Sequence, residues 1–111
     1  MDWIEYSNKA IATVNKDLDW KQRVTNAALG LAGESGEVSD EVKKSFFQGH
    51  ELSVEKIKKE LGDILWYLNL MADCIGVDLE EIAQANIDKL YSRYKDGNFS
   101  PEQSVNRKIE V

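Results

Sequence analysis

The sequence predicts an all-α protein of four helices, and three observations carry that prediction. Apolar residues recur at intervals of three and four along most of the chain, which is the helical period. Proline occurs once, at Pro101, and no Asn-Gly or Asp-Gly pair lies between alternating apolar runs, so the hairpin signature of a sheet is missing. Ala, Leu, Glu and Lys, all good helix formers, are frequent. A first helix is expected over residues 3–14, where Trp3, Ile4, Ala10, Ile11 and Val14 keep close to helical spacing. Residues 15–19 break it. A long second helix over 20–47 carries Val24, Ala27, Ala28, Leu31, Val38, Val42 and Phe46 on one stripe, and Gln48-Gly49-His50 ends it. Ser53 suits the N-cap of a third helix, along which Val54, Ile57, Leu61, Ile64, Leu65, Leu68, Met71 and Ile75 recur, with Gly76 as the C-terminal stop. Asp78 followed by Glu81 resembles a capping box and opens a fourth helix, which Ile82, Ala85, Ile87, Leu90 and Tyr94 carry to residue 94. Asp96-Gly97-Asn98 then breaks the helix. Residues 99–111 have mixed charge and little periodicity, and are expected as a strap across a neighbour or a partly disordered end.

The 111 residues suit a single domain, 1–111, with one core. Lys and Arg number 14 against 20 Asp and Glu, a net charge of −6, the wrong sign for a surface that grips a nucleic-acid polymer. The same excess repels anionic lipid, and it repels anionic substrates unless cations intervene. The lone Cys74 closes no intrachain disulfide, and no Cys/His cluster has zinc-site spacing, so a reducing, cytoplasmic setting is expected. The N-terminus lacks the basic start and apolar run of a secretion signal. The most apolar stretch, 64–77, contains Asn69 and Asp73, so no membrane segment is expected.

Glu34 and Glu37 stand three apart in the second helix and Glu60 and Asp63 three apart in the third, so each pair projects from one side of its helix. Glu41 continues the first row and Tyr67 the second, and both rows border the apolar stripe. Four carboxylates can therefore converge, although acids three apart also line ordinary solvated helix faces. Two features favour convergence. Like charges at this spacing cost about 0.2–0.5 kcal/mol per pair, a repulsion that a cation relieves. Gly30, Gly33 and Gly36 each cost about 0.8–1 kcal/mol relative to alanine, which close approach of a helix or ligand would offset. Gly62 lies between Glu60 and Asp63 on the facing helix, and helix packing or a kink would explain these glycines equally well. Four carboxylates without histidine are hard oxygen donors suited to Mg²⁺, with Mn²⁺ as a substitute. A di-iron bundle needs Glu-x-x-His pairs, whereas the sole histidine, His50, has Phe47 three before it and is expected on a loop surface.

The run Leu29-Gly30-Leu31-Ala32-Gly33-Glu34-Ser35-Gly36-Glu37-Val38, followed by Glu60-Leu61-Gly62-Asp63-Ile64-Leu65, resembles the MazG-like nucleoside triphosphate pyrophosphohydrolases, marked by Glu-x-x-Glu, a spacer and Glu-x-x-Asp on two helices. Asn86-Ile87-Asp88-Lys89-Leu90-Tyr91-Ser92-Arg93-Tyr94 is similar to that family's fourth helix. Gly33 stands where the longer family signature has an extra glutamate, so the compact single-domain branch fits better. The resemblance implies a four-helix bundle, assembled as a homodimer or a dimer of dimers, that hydrolyses (deoxy)nucleoside triphosphates to the monophosphate and pyrophosphate with Mg²⁺, a house-cleaning role in the nucleotide pool. It implies that Glu34, Glu37, Glu60 and Asp63 hold the metal, with Glu34 or Glu37 drawing the proton from the attacking water. A phosphoribosyl-ATP pyrophosphohydrolase and a non-catalytic helical oligomerisation module are the alternatives.

Asn86, Lys89 and Arg93 fall at i, i+3 and i+7 on the fourth helix, and with the resemblance they are expected to contact phosphate. Surface ion pairs with Asp88 or Asp96 are the plainer explanation of the two cations. Trp20 and Tyr67 are the expected base contacts. Tyr67 lies one turn beyond Asp63 on the metal-facing row, and Trp20 stands where small family members place an aromatic. Trp66 is expected to point to a different side and pack against another helix or a subunit.

Overall fold

The computed structural model describes residues 1–107, and every regular element among them is helical: α1 (Trp3–Ile11), α2 (Trp20–Phe47), α3 (Val54–Ile75), α4 (Leu79–Arg93) and α5 (Pro101–Val105). No helix among the described residues is long and apolar enough to cross a membrane.

The ends of α2 and α3 fall where local chemistry sets them. At the start of α2 the Asp19 carboxylate accepts from the Gln22 amide while the Gln22 side chain accepts from the Asp19 amide, a closed capping box. Ser53 caps α3 by accepting from the Lys56 amide. Gly76 ends α3 at φ 76°, in the left-handed region that a side chain disfavours, and the Val77 amide returns to the Ala72 carbonyl at 3.0 Å. The first helix is shorter than its apolar pattern suggests. It stops at Ile11, and the Thr13 hydroxyl donates to the Ala10 carbonyl at 2.6 Å, a local bond that competes with continuation of the helix. Val14 still reaches the core, carried there by tight turns in which the Thr13 and Val14 amides bond the Ala10 and Ile11 carbonyls.

Residues Met1–Asp78 form one compact unit, in which α2 packs along α3 and α1 packs on α3. The α2–α3 pair is antiparallel. Trp20 at the start of α2 bonds Cys74 near the end of α3, and further along α2 Gly30 meets Tyr67, nearer the start of α3. Val14, Ala27 and Leu70 form the core cluster, with Ile11, Trp66, Met71 and Cys74 packed against it. Asn69, 1% exposed, ties α1 to α3: its Oδ1 accepts from the Ser7 hydroxyl at 2.9 Å, and its amide donates to the Ser7 carbonyl at 3.4 Å, so a buried polar group is satisfied. Around the α2–α3 connection Phe46, Phe47, Leu52 and Val54 remain exposed, Phe47 at 84%.

Residues Leu79–Val111 form a second compact unit. Leu79 is its buried residue in α4, and the Tyr94 and Phe99 rings pack with centroids 5.5 Å apart. Part of the stretch expected as a strap or disordered end is helical. Ser100 accepts from the Gln103 amide and Pro101 occupies the first turn, so a cap and a preset φ suffice to start α5 without an apolar stripe. Positions 108–111 of that stretch lie outside the described residues.

Candidate functional site

The antiparallel pairing of α2 with α3 brings acidic rows from the two helices together. Glu34, Glu60 and Asp63 each place a carboxylate oxygen within 4.8 Å of the others, Glu34 and Glu60 half-buried and Asp63 exposed. A hydrogen bond to the Glu34 carboxyl, reinforced by partial desolvation and by the negative charges of Glu34, Asp63 and Glu41, raises the Glu60 carboxyl above the ordinary glutamate range. The donor set is all oxygen and formally trianionic, which fits a hard divalent cation and fits poorly the nitrogen- and sulfur-rich sites of zinc. Glu37, the fourth expected carboxylate, is exposed on α2 and stands outside this trio.

Beside the acids lies an open cavity of about 370 Å³ lined by Glu34, Asp63, Trp66 and Tyr67. Gly30 explains how Tyr67 comes to be there. A Cβ on Gly30 would stand 2.2 Å from the Tyr67 ring, so the ring lies directly on the α2 backbone one turn before Glu34. This is the close approach that the glycine run suggested, filled by a side chain. Gly33, Gly36 and Gly62 serve no such purpose among the described residues, since a Cβ at any of them meets nothing there within 4 Å.

Trp66 departs from the expectation for it. It packs on the core as anticipated, yet it also lines the cavity, edge-on to Tyr67 with ring centroids 5.0 Å apart and planes at 86°. The indole N–H donates to the Thr13 hydroxyl at 2.8 Å, a bond to the chain just after α1. A helical wheel carries no information about that partner. Tyr6 was equally invisible in the sequence. Burial, and then the charge of Asp63, pushes its phenol above the ordinary tyrosine value, which places this α1 side chain within the field of the acidic trio.

Trp20 does not join the cavity within one chain. Fourteen residues separate it from Glu34 on the same helix, about 21 Å along the axis. Its indole donates to the Cys74 carbonyl at 2.7 Å while the residue stays 62% exposed, so here it ties the start of α2 to the end of α3. Asn86, Lys89 and Arg93 all lie on α4 in the second unit, Asn86 and Lys89 exposed and Arg93 half-buried with its guanidinium 5.8 Å from the Tyr94 ring centre.

Comparison with known proteins identifies a family. The model of the MazG nucleotide pyrophosphohydrolase domain matches residues 22–98, a span that holds all three clustered acids and both cavity aromatics. The Gene 37 protein of Mycobacterium phage L5 is 32% identical over 94 residues, covering 81% of this chain and 82% of that protein. No solved structure matches. With the two acid-bearing helices in register and most of the chain within the matched span, the protein belongs to the MazG nucleotide pyrophosphohydrolase domain family.

Proposed function

We propose that the protein hydrolyses deoxynucleoside or nucleoside triphosphates between the α- and β-phosphates, releasing the monophosphate and pyrophosphate, with Mg²⁺ as cofactor and Mn²⁺ as a substitute. The observation that carries this reading is the convergence of Glu34, Glu60 and Asp63 beside an aromatic-lined cavity in a chain of this family. A divalent cation held by those three residues would neutralise triphosphate charge and acidify a water. Glu34 and Glu60 face each other from different helices, so a cation between them would be gripped from both sides and would relieve the repulsion that raises the Glu60 carboxyl. Glu37, one turn beyond Glu34 and exposed, is the acceptor we assign for the proton of the attacking water, with Glu34 as the alternative. Tyr67, seated on Gly30, flanks the nucleoside, and Trp20 is assigned to the base of a substrate bound by another copy of the chain. Asn86, Lys89 and Arg93 are assigned to phosphate oxygens, which places stabilisation of the leaving pyrophosphate on α4. We assign the working form to a homodimer or dimer of dimers, and the role to clearing the nucleotide pool.

Turnover of a panel of dNTPs, NTPs and phosphoribosyl-ATP with Mg²⁺ in ¹⁸O water tests the reading. Label in the monophosphate and none in pyrophosphate is the expected result. Label in orthophosphate with a diphosphate product contradicts the assigned cleavage, release from phosphoribosyl-ATP alone selects that enzyme class, and no turnover leaves a non-catalytic helical module.

A further inference from the structure

We propose that Trp66 is the wall against which the nucleoside half of the substrate rests, and that Thr13 is the positioning residue that sets its ring; the assignment builds on the hydrolase reading above. The cavity has two kinds of lining. Glu34 and Asp63 supply charge, while Trp66 and Tyr67 present two aromatic planes at 86° to each other. A ligand that suits both carries an anionic group for a cation at the acids and an uncharged ring for the aromatic corner, the chemistry of a nucleotide.

Packing alone does not orient Trp66. Its Nε1–H donates to Thr13 Oγ1 at 2.8 Å, and the Thr13 hydroxyl donates its own proton to the Ala10 carbonyl at 2.6 Å. A hydroxyl has one proton to give, so with that proton on Ala10 it offers Trp66 a lone pair, and the direction of both bonds is settled. The indole is thereby fastened to the turn that follows α1, a segment separate from the α2–α3 pair that bears the acids. One side of the ring packs against the core cluster and the ring also reaches the cavity. With its N–H committed to Thr13, Trp66 reads no hydrogen-bond pattern on a base. It discriminates by stacking area and fit, which sets KM more than the chemical step.

The test uses the full chain labelled with 5-fluorotryptophan, with Trp66→Phe assigning the Trp66 ¹⁹F resonance. An α,β-methylene dNTP with Mg²⁺ should shift that resonance, and inorganic tripolyphosphate with Mg²⁺, which has no ring, should leave it in place. Thr13→Val removes the acceptor with little change of volume and should raise KM for a dNTP by roughly fivefold to tenfold, with kcat held within about twofold. Thr13→Ser, which restores the hydroxyl, should return KM to the wild-type value. Should Thr13→Val melt below the assay temperature, Trp66→Phe, which keeps an aromatic plane and loses the donor, serves the same comparison. A Trp66 resonance indifferent to the methylene nucleotide overturns the proposal, as does a wild-type KM in Thr13→Val or a serine variant as impaired as the valine one. A wild-type protein inactive on every nucleotide removes the hydrolase reading itself, a result distinct from an active enzyme with a silent Trp66.

Discussion

Glu60 concentrates the chemistry of the site in one carboxyl. It can donate a hydrogen bond to Glu34 only while it keeps a proton, and the charges around it oppose its ionisation, so its folded pKa lies above the ordinary value of 4.5. The folded state then binds more protons than the unfolded state over the interval above pH 4.5, and the contribution of Glu60 to stability falls as pH rises through that interval. Glu60→Gln keeps a hydrogen-bonding side chain without the charge. In chelator it should melt above wild type at pH 7 and level with it near pH 4, as followed by circular dichroism. Magnesium should stabilise the wild-type chain and much less the variant. The same substitution, Glu60→Ala and Asp63→Ala should lower cation-dependent hydrolysis on the order of a hundredfold or more while the helical spectrum persists. Near-wild-type turnover in these variants would remove the metal assignment.

At the scale of the helix, α2 tolerates three glycines for different reasons. Gly30 is required by the Tyr67 ring that lies on it. In Gly30→Ala the gain of about 1 kcal/mol in helix propensity meets an overpacking cost of about 1–3 kcal/mol, because the Tyr67 ring must shift off the α2 backbone to admit the methyl group. The variant should be less stable in urea and weaker in substrate affinity. Gly33→Ala and Gly36→Ala face open space within the chain and should each stabilise it by up to about 1 kcal/mol. Destabilisation of either by an amount that depends on protein concentration would locate a second copy on that face. Trp20 shows how the helix ends are tied: its indole N–H closes α2 against the last turn of α3, a bond that its exposed ring surface does not reveal.

The whole molecule buries little for its length. Among the described residues the buried apolar ones are Ala10, Val14, Ala27, Leu70, Ala72 and Leu79, four of them in α2, α3 or the turn before α2, while Trp3, Ile4, Leu29, Phe46, Phe47 and Val54 stay exposed. Exposed apolar surface of this extent is usually covered by another chain, and in homo-oligomers by a second copy. Light scattering on the full chain should therefore give twice or four times the 12.6 kDa chain mass at micromolar concentration. A single-chain mass across that range would contradict the shared site assigned through Trp20.

Local sequence signals account for α2, α3 and the acidic rows they carry. The capping residues Asp19 and Ser53, the stop at Gly76 and the periodic apolar stripes are local signals, and α2 and α3 begin and end where those signals place them, because the energies involved act within one or two turns. The acidic rows were legible for the same reason, since residues three apart share a helix face whatever surrounds the helix. The early end of α1 and the turn of α5 were less visible, the first decided by a hydroxyl-to-carbonyl bond and the second by a cap without an apolar pattern. Which acids meet follows from how the helices pack. Glu34 joins Glu60 and Asp63 while Glu37 stays outside, because the register of two antiparallel helices depends on contacts such as Tyr67 on Gly30 that no single helix contains. The same long-range packing brought Trp66 to the cavity through Thr13 and Tyr6 into the field of Asp63, pairs more than fifty residues apart whose coupling arises only when the helices pack.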